Sequence, residues 1–291
     1  MLRKNDILFQ TLAVVFFFLF VFICLYPFYY MFLVSISDIV PVTNGKVILL
    51  PVGTNFANYD ILFRTKGFLS AFMVSTSRAL IGTALTVFFS SMFAYTLTKK
   101  FLKGSKFMYR ATIFTMYANA GLIPWFITMK LLHLDNSYLL YILPFVISPF
   151  GLILIKTYFE QLPQALEESA FIDGAGYFVI LIKIMIPISK PILAAVAVLS
   201  AVFQWNMWTD NFFLVSKPNL QTLQLMLVNF LREADSMISG PMAIGMQSTK
   251  RLEPFTLRSA ISVVTAVPII LAYPFMQKYF IKGIMIGAVK G

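Results

Sequence analysis

The chain has 291 residues, of which 59% are hydrophobic and only 12% are charged. Soluble domains carry about a quarter charged residues, so this composition excludes an ordinary water-facing surface. Most of the outer surface is therefore expected to contact lipid or another apolar subunit. The net charge of +11 does not indicate nucleic-acid binding, because the basic residues flank apolar runs and form no basic face with interleaved aromatic residues. With a single cysteine and a single histidine, we expect no internal disulfide and no metal site.

The apolar runs predict an all-α membrane bundle of six transmembrane helices in one domain. A helix needs about 20 apolar residues to cross a hydrocarbon layer of roughly 30 Å. The first run is about twice as long as a signal-peptide core, so we expect it to remain as an anchor. Prolines inside the third and fourth runs predict kinks. The predicted spans are residues 7–36, 69–98, 108–130, 138–159, 191–215 and 257–279.

Arg78 lies inside the second run. Residues 79–98 alone supply the roughly 20 residues that a span requires. We therefore expect the Arg78 side chain to extend to the outer interface. The alternative is a role in binding an anionic solute.

Basic residues at the span ends predict the orientation of the chain. Lys and Arg are enriched on the cytoplasmic side of membrane proteins. The only short loop on the opposite side, residues 131–137, contains neither. The two longer loops of that side do carry basic residues, which weakens the signal without reversing it. We predict cytoplasmic N and C termini from Arg3, Lys4, Lys99, Lys100, Lys103, Lys106 and Lys278.

Motifs of energy-converting chemistry are absent from the sequence. No G-x-x-x-x-G-K-[ST] phosphate loop occurs, so we expect this chain not to hydrolyse ATP and not to be an enzyme. Proton-coupled transporters need acidic residues inside their spans, and here Asp210 is the exception to a near absence. Energy for any transport is therefore expected to come from a partner.

The loop at residues 160–190 contains a spaced motif. Glu168, Ser169 and Ala170 are followed after three residues by Gly174, and nine residues then lead to I-M-I-P at 184–187. Pro163 suits the first turn of a short helix, and Gly174 suits its end. Without further information, a solvated helical hairpin between two spans is the alternative interpretation.

This motif resembles the cytoplasmic coupling loop of ABC importer permeases, E-A-A, three residues, Gly, nine residues, I-x-L-P. Ser169 and Ile186 depart from that pattern and keep roughly the expected size. The resemblance implies that the loop couples the chain to an ATPase. The implied coupling residues are Glu167, Glu168, Ser169, Ala170, Asp173, Gly174 and Ala175.

Further motifs extend the resemblance over nearly the whole chain. They are DGA at 173–175, GLIPWF at 121–126, NYDILF at 58–63, QWNMW at 204–208 and the terminal KYFIKG…VKG. Together they are similar to the second permease subunit of the maltose-transporter class, in the branch that imports oligosaccharides or polysaccharide fragments. The expected fold is that of type I ABC importer permeases.

The resemblance also implies partners. These are a second permease, usually a different chain, two cytoplasmic ATPase subunits that hold ATP and Mg, and an extracellular solute-binding protein. We expect no cofactor on this chain, contacts with membrane lipid, and a location in a bacterial plasma membrane. The end of the predicted outer loop at 216–254 is expected to face the binding protein, through Gln247, Lys250, Arg251 and Glu253.

The fifth run supplies candidates for the solute pathway. In a continuous helix, Gln204, Trp208 and Asn211 would share one face, and Asn206 and Asp210 another. Aromatic faces and polar side chains suit a sugar. The alternative is an interfacial aromatic belt with interhelical hydrogen bonds, and in the maltose system the other permease holds the sugar. The candidates are Gln204, Trp205, Asn206, Trp208, Asp210 and Asn211, with Tyr117 and Asn119 in the third run.

Two other functions compete with a sugar permease. One is an ABC permease for a non-sugar solute, such as a peptide or glycerol-phosphate. The other is a self-sufficient secondary transporter, which would need intramembrane ionisable residues or an internal repeat. The sequence shows neither feature.

Overall fold

A computed structural model describes residues 4–118, 120–239 and 253–288. Most of these residues are helical, and they contain no β-strand, only one isolated bridge between Ser37 and Thr54. The all-α prediction is confirmed. The α-helices are α1 Lys4–Ser35, α2 Ile39–Thr43, α3 Ala57–Arg64, α4 Phe68–Thr98, α5 Ser105–Tyr117, α6 Leu122–Leu131, α7 Pro149–Gln161, α8 Ala165–Ile172, α9 Tyr177–Ile180, α10 Ile186–Ile188, α11 Lys190–Asn206, α12 Thr209–Leu214, α13 Leu223–Ser239 and α14 Glu253–Ala288.

Three of the described helices are long and apolar enough to cross a membrane. They contain the stretches Phe9–Ser35, Phe68–Thr98 and Phe255–Pro274. Two bent helix pairs raise the number to five if each pair counts as one span: Tyr138–Phe145 with Pro149–Gln161, and Tyr177–Ile188 with Lys190–Asn206. The six-span count remains a prediction, because the predicted third span consists of the two shorter helices α5 and α6.

The fourth predicted span is bent at its proline-containing stretch, as expected. Two short 3₁₀ turns occupy Tyr138–Tyr141 and Leu143–Phe145, and α7 then begins at Pro149. The Ser148 hydroxyl accepts a hydrogen bond from the Gly151 amide and caps α7. A proline at the first helical position sacrifices no intrahelical bond. The bend of 43° therefore follows from local sequence.

The fifth predicted span is not one helix over 191–215. Helix α11 ends at Asn206, and α12 begins only at Thr209. The prediction that Gln204, Trp208 and Asn211 share a helical face is therefore wrong, since the assumed continuous helix is interrupted between them.

The chain divides into two compact units. One comprises Met1–Phe68 and Leu227–Val267. Within it, α1 leads into a turn region whose core is formed by Leu33, Val34, Val42 and Val47. Over residues 9–32 of α1, no side chain is buried within the chain.

The other unit comprises Leu69–Met226 and Pro268–Gly291. Its central element is α4, which contributes to two separate apolar cores. Near its end, Ala94, Tyr95 and Leu97 pack with residues of α7, α8 and α11. Nearer its beginning, Val74 packs with residues of α6, α12 and the 3₁₀ turn at Tyr138–Tyr141. Helix α4 therefore connects two separate apolar cores of this unit.

Candidate coupling and transport sites

The predicted coupling helix is present as α8, Ala165–Ile172. Gly174 follows with φ +81°, a left-handed conformation that glycine adopts without steric cost. The Ala175 amide returns to the Ala170 carbonyl at 2.9 Å. This pattern of a positive-φ glycine and a returning amide is how helices commonly terminate, so the predicted end of the helix is confirmed.

Helix α8 has an inner face and an outer face. Ala170 is buried in the core at the end of α4, and Leu166 is half-buried. On the outer face Glu168 and Ser169 are exposed, and Ile172 is 87% exposed. The small Ala170 therefore allows α8 to approach its own chain closely, while an apolar and an acidic side chain point away from it.

An ion pair holds the inner face of α8 against the end of α4. The Lys99 ammonium donates to the Glu167 carboxylate, with side-chain exposures of 12% and 23%. The same ammonium lies 3.8 Å from the centroid of the Tyr95 ring and 5.7 Å from that of Tyr177. Aromatic faces attract cations. The basic loop that follows α4 and the coupling helix are therefore in direct contact.

A cavity of about 1000 Å³ lies between this loop, the end of α7 and α8. The predicted coupling residues Glu167 and Glu168 line it together with four lysines. Lys156 is one of the lysines and pairs with Glu160 at 2.6 Å. Two of these contacts were not predicted from the sequence: Lys99 with Glu167 and Lys156 with Glu160. The signal for the first was Glu167 itself, an acidic residue in a region where basic residues dominate.

Arg78 is fully buried, so the prediction that it extends to an interface is wrong. Its two terminal nitrogens bond the two carboxylate oxygens of Asp210 at 3.2 and 2.6 Å. Both side chains are 0% exposed. Removing a single ion from water is expensive, whereas a bidentate pair with further hydrogen bonds offsets that cost. The opposite charges in two predicted spans were the signal for this pairing.

The guanidinium also explains the break in the fifth span. Its Nε donates to Gln204 Oε1 at 2.8 Å, and Nη1 donates to the Met207 carbonyl at 3.2 Å. The last carbonyls of a helix need partners from outside the helix. Arg78 supplies one at the end of α11, and the Tyr141 ring lies 4.6 Å from its central carbon.

Gly82, one turn further along α4, lies against Gln204. A Cβ added at Gly82 would meet Gln204 Nε2 at 2.7 Å and Cδ at 2.9 Å. The Gln204 side chain cannot move away freely, because its oxygen is held by Arg78. The close approach of α4 and α11 therefore requires glycine at this position.

The structure separates the predicted pathway residues into two groups. Three are buried and bonded within the chain: Gln204 and Asp210 to Arg78, and Asn211 to Tyr141 and Thr222. Trp205 is also buried, with its ring 6.3 Å from that of Phe72. The interhelical hydrogen bonds that formed the alternative interpretation therefore exist for these residues in this conformation.

The second group keeps exposed surface. Asn206 is exposed, Trp208 is half-buried against Phe212, and Tyr117 is 81% exposed. Asn119 lies outside the described residues. Contact of these residues with a solute stays a prediction.

A second cavity, of about 820 Å³, was not foreseen from the sequence. It lies between α4, α5, α7 and α11, and phenylalanines and small hydroxyl side chains line it. Ser148 and Ser200 are among them, but none of the predicted pathway residues is. The sequence feature that could have indicated this cavity is the proline-containing break before α7, since Pro144 and Pro149 line it.

The predicted outer loop, 216–254, is described as far as Ser239 and contains helix α13. Three of the residues predicted to face the binding protein, Gln247, Lys250 and Arg251, fall in the undescribed stretch 240–252. Glu253 is the first residue of α14.

An all-helical membrane chain that contains a short helix with EAA-like spacing is typical of ABC importer permeases. Comparison with known proteins supports this class. No protein-family model matches the chain. The polygalacturonan/rhamnogalacturonan transport system permease protein YtcP of Bacillus subtilis is 34% identical over 98% of this chain and 99% of its own length. The arabinooligosaccharides transport system permease protein AraQ of the same organism is 31% identical over 83% and 81%.

A solved structure supports the same conclusion. A chain of a bacterial ABC transporter involved in the import of the acidic polysaccharide alginate superposes with a TM-score of 0.86 at 31% identity, covering 96% of this chain and 99% of that one. The chain therefore belongs to the family of permease proteins of bacterial carbohydrate ABC transporters.

Proposed function

We propose that this chain is one of two permeases in an importer of oligosaccharides or polysaccharide fragments. ATP binding and hydrolysis occur on two partner ATPases, and an extracellular solute-binding protein delivers the sugar. The observation that carries the proposal is helix α8, whose outer face is exposed in the described part of the chain while its inner face packs against α4. End-to-end similarity to carbohydrate permeases supports the substrate class.

The outer face of α8 is the proposed contact with an ATPase. Ile172 offers an exposed apolar side chain, and Glu168 offers a negative charge one helical turn before it. A largely exposed isoleucine on a surface helix gains free energy when a partner covers it. Movement of α8 by the ATPase would reach α4 through Ala170 and the Lys99–Glu167 pair.

Two contacts support the proposed orientation. The basic loop after α4, predicted to be cytoplasmic, contacts the coupling helix through Lys99. Asn136, in the short loop predicted to be outside, accepts hydrogen bonds from the amides of Ser216 and Lys217 at 2.7 and 3.2 Å. Each contact joins two segments that the basic-residue pattern places on the same side. The termini are then cytoplasmic, in a bacterial plasma membrane.

Alternating access is the proposed mechanism. A two-state transporter responds only to interactions that differ between its states. The exposed pathway residues Asn206, Trp208 and Tyr117 are proposed to meet the sugar or the partner permease as the state changes. The buried residues Gln204 and Asp210 are proposed to hold the helices that carry them.

The proposal is tested in the assembled complex reconstituted in vesicles. Glu168→Arg and Gly174→Val are expected to lower sugar uptake by about 5- to 150-fold, the usual range of coupling between sites. The first variant reverses the charge of the outer face, and the second strains the φ +81° turn that ends α8. Uptake and ATPase activity are measured with oligogalacturonide, alginate and arabinan fragments.

Asp60→Arg is the control, since it reverses an exposed acidic charge outside the coupling loop. It should transport normally. Wild-type coupled transport in both the Glu168 and Gly174 variants would contradict the proposal.

A further inference from the structure

The segment that connects α12 to α13 is anchored by buried polar side chains. Asn211 Oδ1 accepts hydrogen bonds from the Thr222 amide at 2.9 Å and from the Thr222 hydroxyl at 3.2 Å. The Ser75 hydroxyl accepts from the Leu223 amide at 2.8 Å. Residues 222 and 223, where α13 begins, are thereby bonded to α12 and to α4.

Tyr141 supplies the next link. Its hydroxyl donates to the Leu220 carbonyl at 2.6 Å and accepts from Asn211 Nδ2 at 2.8 Å. The side chain is fully buried, and its ring also lies against the Arg78 guanidinium. Tyr141 therefore contacts the connecting segment, α12 and the ion pair at once.

The ion pair fixes the residue that makes these bonds. Asp210 Oδ1 accepts from the Asn211 amide at 2.7 Å while both of its oxygens bind Arg78. Bonds of this chain run without interruption from the Met207 carbonyl, at the break of the fifth span, to the start of α13. Buried polar groups that are fully paired resist displacement, because any shift leaves one of them unsatisfied in a medium of low dielectric constant.

We propose that Tyr141 and Arg78 are positioning residues for the response of the complex to its solute-binding protein. The proposal rests on the proposed function and its orientation, which puts the segment beyond α12, with Ser216 and Lys217, on the outer side where the binding protein delivers the sugar. The network of Arg78, Asp210, Asn211, Tyr141 and Thr222 holds the base of that region rigidly against α4 and against the break at Met207. A displacement imposed by the binding protein is then passed to these helices and is not absorbed by a loose connection.

The first test uses Tyr141→Phe in the complete complex. The variant keeps the ring and its position beside Arg78, and it removes only the hydroxyl bonds to Leu220 and Asn211. Stimulation of ATPase activity by the sugar-loaded binding protein is expected to fall by about 5-fold or more. The binding-protein concentration for half-maximal stimulation should rise, while the ATPase rate without binding protein stays at the wild-type value.

Tyr138→Phe is the matched control. Tyr138 belongs to the same 3₁₀ turn and packs edge-to-face on Tyr141, and its hydroxyl bonds the Ser77 hydroxyl at 2.8 Å. Among the described residues, the Tyr138 hydroxyl bonds Ser77 and not the connecting segment. Both variants lose one hydroxyl from the same site, so a difference between them reports the bonds to the segment.

Arg78→Lys is the second variant. It keeps a positive charge for Asp210 and loses the planar fork that also reaches Gln204 and Met207. It is expected to retain the basal ATPase rate and to lose part of the stimulation, between the wild type and Tyr141→Phe. Equal stimulation in Tyr141→Phe and Tyr138→Phe would overturn the proposal, as would a proportional fall of basal and stimulated rates.

The wild-type complex separates the two proposals. If it shows no binding-protein stimulation with any sugar, the proposed function fails. If it is stimulated and Tyr141→Phe is stimulated equally, the proposed function stands and the positioning role is wrong.

Discussion

The two polar sites on α4 differ in burial and in geometry. Arg78 and Asp210 are fully buried and share two hydrogen bonds, and Arg78 also donates to Gln204 and to the Met207 carbonyl. Lys99 and Glu167 are partly exposed, and a single ammonium contacts one carboxylate beside two aromatic rings. The 21 residues from Arg78 to Lys99 correspond to about 32 Å of helix at 1.5 Å per residue. Helix α4 therefore has a rigid contact toward its beginning and a looser contact at its end. We call the Arg78–Asp210 pair the rigid joint and the Lys99–Glu167 pair the looser joint.

This difference agrees with what each joint has to do under the proposed function. A compact ammonium on a flexible stem can keep its carboxylate partner while the two elements shift. A planar guanidinium with all of its bonds fixed cannot. The coupling helix would then move relative to α4 by small adjustments, whereas the break at Met207 moves with α4 as a unit.

The largest expected effect comes from removing one charge of the buried pair. Arg78→Met leaves the Asp210 carboxylate buried without its partner, which should cost about 3–5 kcal/mol. The yield of assembled complex in detergent and its unfolding temperature are the measurements. Adding Asp210→Leu removes the orphaned charge and should restore much of the lost stability. A single variant as stable as the wild type would show that the joint is not rigid.

An intermediate effect is expected at the looser joint. Lys99→Met and Glu167→Gln, alone and together, form a double-mutant cycle, and the coupling free energy should be roughly 1 kcal/mol for this partly exposed pair. Thermal unfolding of the assembled complex supplies the values. If the two joints differ as described, the coupling free energy of Lys99 and Glu167 is well below that of Arg78 and Asp210. Equal coupling free energies would contradict this difference.

The smallest effect is expected at an exposed ion pair on α3. Asp60 and Arg64 form a pair one turn apart on α3, with exposures of 61% and 80%. Pairs of this kind on helices contribute about 0.3–0.5 kcal/mol, so Arg64→Ala should hardly change the unfolding temperature. High salt should weaken this pair more than the Lys99–Glu167 pair, because exposed charges are screened first. If Arg64→Ala lowers the unfolding temperature more than Lys99→Met does, the stability contributed by these ion pairs does not follow their burial.

Local sequence was sufficient to predict helices α4 and α8. Residues 69–98 match α4 almost end to end, since no proline interrupts a run of sufficient length. Gly174 ends α8 as predicted, because only a positive φ closes that turn without strain. In both cases the information lies within a few residues of the element.

The break in the fifth span could not be predicted in this way. No proline or glycine stands near Met207, and the helix ends there because Arg78, more than a hundred residues earlier in the chain, bonds the Met207 carbonyl. The burial of Arg78 depends on the same distant contact. Arg78 was predicted to be interfacial and Asp210 to be a pathway residue. These two separate predictions did not reveal that the two residues form an ion pair.

Gly82 has a consequence for how this sequence can diverge. The Gln204 side chain, held by Arg78, lies too close to Gly82 to leave room for a methyl group there. A larger residue at position 82 becomes acceptable only when position 204 shortens, and a shorter residue at 204 removes a bond of Arg78. Positions 78, 82 and 204 are therefore expected to change together, even though 204 lies more than a hundred residues from the other two.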